Sequence, residues 1–263
     1  MQRLRQPAVA GMFYPAQPGR LRAMVLDFLA GARGGPGPLP KAVIVPHAGY
    51  VYSGAVAGSA YARLAQGRAQ VRRVVLLGPS HQVAFQGMAL GGSDLLATPL
   101  GAVPVDREGE EALQGLPGVQ VLAAAHAREH SLEVQLPFLQ VVLGAFTLVP
   151  VVVGDADPGA VAGALDLLWG GEETVIVVST DLSHYLDPVS ARRLDRATAA
   201  AIQALRPEDL GEDSACGRIP VQGLLLAARR RGLGVEVLDL RNSGDTAGGG
   251  GTVVGYGAFV LGG

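Results

Sequence analysis

The chain has 263 residues, of which 49% are hydrophobic and 17% are charged, and its formal net charge is −2. These proportions are typical of a globular protein and exclude an intrinsically disordered one. A charge this close to zero supplies no broad attraction for nucleic acid or anionic membranes. The single cysteine, Cys216, excludes an intrachain disulfide. The start of the chain lacks the apolar core of a secretory signal, and no run reaches the roughly 18–20 apolar residues of a membrane span, so we expect a cytoplasmic protein.

Short apolar, β-branched runs alternate with helical patterns along the chain. In chain order, the sequence predicts a strand at 42–46, a helix at 53–66, a strand at 74–78, a glycine-rich middle with shorter strands, a helix at 132–143, a strand at 146–153, a helix at 159–169, a strand at 174–179, helices at 188–205 and 220–231, and strands at 235–240 and 253–261. Continuous apolar strands separated by helices indicate an α/β fold whose central sheet is largely parallel or mixed and covered by helices on both faces. Neither the loop at 34–40 nor the glycine turn at 248–251 separates two core-sized halves, so we predict one domain over residues 1–263.

Three of the five histidines lie just beyond the carboxyl ends of predicted strands, namely His47, His81 and His184. In open α/β sheets, ligands bind in the crevice outside those ends. If these strands are neighbours, the three imidazoles converge on one cleft, with Asp181 beside His184. Two imidazoles and a carboxylate with open positions suit non-haem Fe(II), whereas a tetrahedral set suits Zn. Any one of these histidines is compatible with a structural role, but the repeated placement favours a site.

Cys216 lies just before the predicted helix at 220–231, and Pro220 suits the first turn of that helix. A thiol near a helix N-terminus, with Arg218 close by, has its thiolate form favoured. Cys216 is therefore a candidate third metal ligand or redox-active group. The alternative is a small buried hydrophobic residue, the usual environment of a lone cysteine.

The segment 129–133 forms a second polar cluster that opens a helical pattern. Glu129 and Glu133 would share one face of that helix. His130 then lines the cleft together with a carboxylate, or the segment caps a helix and pairs with arginines. Residues 126–130 also match the H-x-x-E-H pattern of zinc peptidases. Because His126 follows an alanine run and five-residue matches arise often by chance, we do not expect a peptidase site.

Together these segments resemble the Memo family, called AmmeMemoRadiSam system protein B in prokaryotes. The matching stretches, which occur in family order along nearly the whole chain, are RQPAVAGMFYP (5–15), PHAGYVYSG (46–54), LGPSH (77–81), EHSLEVQLP (129–137), STDLSHY (179–185), CGRIP (216–220) and VVGYGAFVL (253–261). The resemblance implies a fold similar to the catalytic subunit of class III extradiol dioxygenases, which hold Fe(II) in a His-His-Glu site.

By this resemblance, His47 and His81 match the two ligand histidines, and Cys216 stands where the dioxygenases have glutamate. We therefore predict a metal site formed by these three residues. A soft thiolate in place of a hard carboxylate favours Cu(I), Zn or a redox-labile iron over a stable Fe(II) oxygenase site. The expected cofactor is accordingly Fe(II) or Cu, with Zn less favoured.

The resemblance also implies three catalytic residues. Asp181 and His184 match the family's other cleft pair, with His184 at the acid/base position of the dioxygenases and Asp181 expected to orient it. His130 belongs to the family's Glu-His-Ser segment. The chain departs from its relatives at Gln82, where many have a second histidine, and at Tyr185, where animal members have tryptophan.

Three functions remain open at this stage. The first is a metal-dependent redox protein, and if it is an enzyme, a dioxygenase-like oxidoreductase of unknown substrate. The second is a non-catalytic protein that binds a peptide or partner protein in the same cleft, or an accessory protein linked to a radical-SAM enzyme, as the family name implies. The third and less favoured is a zinc hydrolase. In each case the expected ligand is a small molecule or a peptide, with no nucleic-acid or membrane partner.

Overall fold

The computed structural model describes residues 2–248 and 251–263, so the predicted turn at 248–251 lies partly outside the described residues. The strands are β1 (Leu4–Arg5), β2 (Ala42–Val45), β3 (Arg73–Pro79), β4 (Met88–Leu90), β5 (Leu95–Thr98), β6 (Gly101–Pro104), β7 (Val119–Val121), β8 (Thr147–Val153), β9 (Thr174–Ser179), β10 (His184–Leu186), β11 (Gly234–Asn242) and β12 (Val253–Gly262). The helices are α1 (Pro18–Ala30), α2 (Tyr50–Leu64), α3 (Arg107–Gln114), α4 (Ala123–Ala127), α5 (Leu136–Val142), α6 (Pro158–Leu168), α7 (Pro188–Gln203), α8 (Arg218–Arg230) and α9 (Ser243–Thr246). Within these two stretches, no helix combines the length and the apolar character that crossing a bilayer requires.

The main sheet has the strand order β10-β12-β2-β9-β3-β8-β4-β7, and β11 pairs with β12. Its centre is parallel, because β9 pairs with β2 on one side and β3 on the other, and β3 pairs in turn with β8. Antiparallel pairs flank this centre, β12 on β2 and β4 on β8. The mixed sheet expected from the sequence is therefore confirmed.

The buried strands divide their side chains between two cores. Val43 and Val177 face the core that contains α1, α2 and α5, whereas Ile44 and Val178 face the core that contains α6, α7 and α8. This alternation follows from the two-residue period of a strand. Both faces are covered by helices, which explains why β2 and β9 read as continuous apolar runs. The predicted α/β fold with helices on both faces is confirmed.

Helix boundaries differ most from the prediction at 132–143. The structure has a 3₁₀ turn at Glu133–Gln135, and the α helix begins only at Leu136. Pro137 suits the first turn of a helix because it has no N–H to donate to an earlier carbonyl. The helix predicted at 53–66 instead begins earlier, at Tyr50, directly after Gly49.

Candidate metal centre

The parallel centre of the sheet brings the predicted cleft residues together. β2, β9 and β3 are neighbours, and His47, Asp181 and His81 follow their respective carboxyl ends. The ring centroids of His47 and His81 are 5.1 Å apart, and those of His81 and His130 are 4.6 Å apart. One ligand atom each from His47, His81 and Cys216 lie within 4.8 Å of one another. We call these three residues the donor group.

Cys216 is held against the end of β9. Its backbone N–H donates to the Asp181 carbonyl at 3.3 Å, and the N–H of Gly217 donates to the Thr180 hydroxyl at 2.8 Å. These contacts tie the start of α8 to the sheet and place the Cys216 Sγ 3.2 Å from the His47 Nε2. The cysteine and the histidine, 169 residues apart in sequence, therefore face each other directly.

A buried hydrogen-bond chain fixes the tautomer of His47. The Ser179 hydroxyl donates its only proton to the Ser131 carbonyl at 2.6 Å and accepts from the Gln135 amide at 2.8 Å. The His47 Nδ1, 2.9 Å from the same oxygen, must therefore be the protonated nitrogen. This leaves Nε2 with a free lone pair directed at Cys216. Burial, with nearby His81 and His130, keeps the pKa of His47 well below its usual value.

His81 is oriented by the buried carboxylate of Glu129. Its Nδ1 lies 2.8 Å from one carboxylate oxygen, and its backbone N–H donates to the other at 2.6 Å. Burial of Glu129 opposes ionisation, but the hydrogen bond and charge of His81, together with backbone N–H donors, lower the pKa of Glu129 to about 2. An ionised carboxylate only accepts, so the neutral form of His81 carries its proton on Nδ1 and presents a free Nε2. This carboxylate–imidazole pairing is the usual support of a metal-ligating histidine.

The donor group fits a soft metal ion. Both histidines offer an unprotonated Nε2, and Cys216 adds a sulfur. The sequence led us to expect a favoured thiolate, but burial and the nearby Asp181 raise the pKa of the Cys216 thiol to about 12. That expectation is wrong for the chain by itself, because burial outweighs the helix N-terminus. A cation at the three donors would reverse this balance, since coordination deprotonates a thiol.

Asp181 and His184 lie in the cleft but are hydrogen-bonded differently from what the sequence suggested. Asp181 is 5% exposed and accepts the backbone N–H of His47 at 2.7 Å. Burial raises the pKa of Asp181 to about 7. The His184 Nδ1 is 2.8 Å from the Leu182 carbonyl, which therefore sets its tautomer and leaves Nε2 free. The expectation that Asp181 orients His184 is wrong in this respect, since a backbone carbonyl has that role.

His130 completes the cluster of cleft histidines. Its ring stacks on that of His81, and its Nδ1 is 3.4 Å from the Glu129 carboxylate. Burial lowers the pKa of His130. His81, Glu129 and His130 could also gather around an ion by distance alone. One Glu129 oxygen, however, already accepts from the His81 ring and from the N–H groups of His130 and Ser131, which favours an orienting role.

The remaining members of the 126–133 segment point elsewhere. The His126 Nε2 donates to the Ala89 carbonyl at 2.8 Å in the interior, so the H-x-x-E-H match does not assemble a peptidase site. Glu133 binds Arg5 at 2.7 Å and accepts from the Tyr14 hydroxyl. The expectation that Glu129 and Glu133 share one helix face is wrong, because the helix begins after both.

The cleft itself is a cavity of about 460 Å³, which we call the histidine cavity. His47, His81, His130 and His184 line it together with Asp181, and Phe13, Tyr52, Tyr185 and Tyr256 supply aromatic walls. Lysine and arginine are absent from its described lining. Cys216 borders two further cavities, of about 640 and 250 Å³, and the smaller also contacts His184.

Sequence reasoning missed the residues that orient the ligands. Ser179 and Gln135 were not singled out, although both lie within the stretches STDLSHY and EHSLEVQLP. Glu129 was noted only as part of a polar cluster. The available signal for all three was their position inside stretches that match the family.

Comparison with known proteins gives a match along nearly the whole chain. The family model described as Memo-like protein matches residues 5–260. A MEMO1 family protein of Aquifex aeolicus is 37% identical over 97% of this chain and 97% of its own length. One from Methanopyrus kandleri is 38% identical over 98% of both chains, and one from Methanosarcina barkeri is 35% identical over 98% of this chain and all of its own.

Proposed function

This chain belongs to the Memo family, and we propose that it is a metal-binding redox protein that holds copper or iron with His47, His81 and Cys216. The observation that carries the proposal is the convergence of these three side chains, whose ligand atoms lie within 4.8 Å of one another. They come from three separate parts of the chain. Two buried networks support this set, one ending at His47 and the other at His81.

The donor chemistry narrows the choice of ion. Two imidazoles and one thiolate are soft or borderline ligands, which select copper, zinc or iron over magnesium and calcium. When bound, copper or iron supplies the cleft with a centre that changes oxidation state by one electron. Zinc has no redox chemistry, and its selective binding would instead indicate a structural or hydrolytic site.

The chain's own residues prepare the cleft for proton transfer. The Leu182 carbonyl holds the Nδ1 proton of His184, so Nε2 is free to accept a proton from a bound molecule. Burial lowers the pKa of His184, which keeps this ring neutral at physiological pH. His130 and Asp181 line the same cavity, while Tyr52 and Tyr185 form its aromatic boundary. We assign His184 the proton-accepting role and treat His130 and Asp181 as further catalytic candidates.

A second function, peptide docking, is favoured by one observation at the cavity mouth. Tyr185 and Tyr52, which both line the histidine cavity, are 75% and 47% exposed. Exposed apolar side chains around a concave site are a feature of peptide-binding surfaces. A docking protein would keep its affinity for a peptide in His81→Ala, whereas a redox protein would lose its ion in that variant.

The proposed function is tested by anaerobic titration of the metal-free chain with Cu(I), Fe(II) and Zn(II). We expect one copper or iron ion per chain in the wild type and loss of that ion in His47→Ala, His81→Ala and Cys216→Ser. His126→Gln is the matched control, since His126 is buried and bonded to a backbone carbonyl away from the donor group. The proposal fails if the three variants bind the ion as tightly as the control, or if the wild type takes up only zinc.

A further inference from the structure

His184 lies in the segment 182–186 between β9 and α7, which includes the short strand β10 and which we call the turn. Two backbone hydrogen bonds join it to β12, from the Leu182 N–H to the Gly255 carbonyl and from the Gly255 N–H to the Ser183 carbonyl, both at 2.8 Å. The pairing of β10 with β12 is irregular between His184 and Leu186. The conformation of His184 is therefore not determined by regular strand pairing alone.

Tyr185 adopts a backbone conformation that such a residue rarely takes. Its φ is +58°, in the left-handed region, and its side chain is 75% exposed at the mouth of the histidine cavity. An aromatic residue in this region is unfavourable unless its surroundings impose the conformation. Its side chain is mostly in solvent and packs edge-on against the adjacent His184 ring, at 5.8 Å between centroids. The hydrogen bonds that fix the backbone before it are made by Leu182 and Ser183.

Asp195, on α7, lies directly beneath the turn at 182–186. This side chain is 3% exposed, and its Oδ1 accepts the backbone N–H of Ser183 at 3.0 Å. The carboxylate also rests on the Cα of Gly255, where any side chain would overlap it. Asp195 thus contacts the turn and the strand that the turn is bonded to. A buried aspartate is costly unless it makes such specific contacts.

We propose that Asp195 is a positioning residue, which through the Ser183 N–H and the surface of Gly255 holds the turn so that His184 keeps its bond to the Leu182 carbonyl and Tyr185 stays at the cavity mouth. This deepens the proposed function, since it rests on His184 being the proton-accepting group. Gly255 is required for this contact, because the Asp195 carboxylate occupies the space that a Cβ at position 255 would need. Asp195, which does not line the histidine cavity, thereby fixes the orientation of the His184 ring, which does.

The test is the imidazole tautomer of His184, read from ¹⁵N NMR of the metal-free full chain at pH 8, with the resonance assigned by its loss in His184→Gln. We expect the wild type to show a single form protonated at Nδ1. Asp195→Ala should lose this single form and show exchange between the two tautomers, because the bond to Leu182 is no longer held. Asp195→Asn should restore the wild-type pattern, since its amide oxygen still accepts the Ser183 N–H.

The matched control is Asp187→Ala, which removes the carboxylate that caps the same helix. Asp187 caps the start of α7 by accepting the N–H groups of Val189 and Ser190, so its loss weakens the helix and leaves the hydrogen bonds of Leu182 and Ser183 in place. We expect the wild-type tautomer in this variant. If Asp195→Ala does not fold, Asp195→Ser replaces it, because a serine hydroxyl is too short to reach the Ser183 N–H.

The proposal is overturned if the Asp195→Ala or Asp195→Ser variant keeps the wild-type tautomer, or if Asp187→Ala loses it to the same extent. Failure of the proposed function would look different. In that case the chain would bind no copper or iron, while the tautomer of His184 would still depend on Asp195. Conversely, if the chain binds the metal and Asp195→Ala keeps the wild-type tautomer of His184, the positioning role of Asp195 is refuted and the proposed function is not.

Discussion

Replacing His126 by glutamine should reduce the loss of unfolding free energy that His126 causes as the pH falls below 7. His126 is 5% exposed, and its Nε2 donates to the Ala89 carbonyl. Burial lowers the pKa of His126 to about 4, below its usual value of 6.5. Between these two values the unfolded chain binds a proton that the folded chain excludes. The contribution of His126 to the unfolding free energy is therefore fully present above pH 6.5 and is lost as the pH drops toward 4.

The size of this effect follows from the two pKa values. Linkage gives a loss of about 2 kcal/mol in unfolding free energy between pH 7 and pH 5, and about 3 kcal/mol by pH 4, for His126 pKa values of about 4 folded and 6.5 unfolded. Glutamine does not titrate, and its amide nitrogen can donate to the Ala89 carbonyl in place of Nε2. The variant should lose this pH dependence while keeping the hydrogen bond.

Urea unfolding at pH 7, 6 and 5 measures the effect as a difference between wild type and His126→Gln. The wild-type curve alone would mislead, because burial raises the pKa of Asp181 to about 7 and its protonation stabilises the fold as the pH falls. Both proteins keep Asp181, so the difference isolates His126. We expect the variant to gain about 2 kcal/mol relative to wild type from pH 7 to pH 5. Parallel profiles would refute the reasoning.

Three further predictions concern packing, a buried ion pair and the metal's support. Gly58→Ala should lower the unfolding free energy by about 1–2 kcal/mol, because a Cβ there would lie 2.7 Å from the carbonyl oxygen of Phe28 in α1. Gly163→Ala has open space around the new Cβ and should raise the unfolding free energy by about 1 kcal/mol in the same thermal-melt series. Glu133→Gln should cost about 3–5 kcal/mol in urea unfolding, since it leaves the Arg5 side chain, 8% exposed, without its charge partner. A loss below about 1 kcal/mol would contradict this. Glu129→Gln should lower metal affinity about 10–100-fold in competition titrations with the one-ion stoichiometry unchanged; unchanged affinity would show that the carboxylate does not orient the ligand.

The sequence predicted the centre of the sheet better than its periphery. The strand predicted at 174–179 has the bounds of β9, because a continuous β-branched run between turn residues has few alternatives to a buried strand. Helix α3 at Arg107–Gln114 was not predicted. Its stability depends on Asp106, which caps the helix and pairs with Arg73 from β3, a contact that periodicity does not reveal.

That the histidines meet in one cleft followed from the rule that ligands bind beyond the carboxyl ends of parallel strands. The orientation of the histidine rings did not follow from that rule. Placing histidines after strands needed only that β2, β9 and β3 be neighbours. The tautomer of His47 depends on Ser179 and Gln135, which are 44 residues apart, and that of His184 on a backbone carbonyl. Such contacts are set by side-chain packing in three dimensions. The raised pKa of Cys216 was missed for the same reason, since its burial depends on how α8 meets the sheet.

The central claim, that His47, His81 and Cys216 together hold a redox metal, is tested most directly by metal-edge X-ray absorption of the chain reconstituted anaerobically with copper or iron. The account predicts that the wild type holds one ion per chain with one sulfur and two imidazole nitrogens as ligands, and that Cys216→Ser retains no ion. An ion bound without sulfur in the wild type would contradict it, as would a wild-type chain that takes up neither copper nor iron.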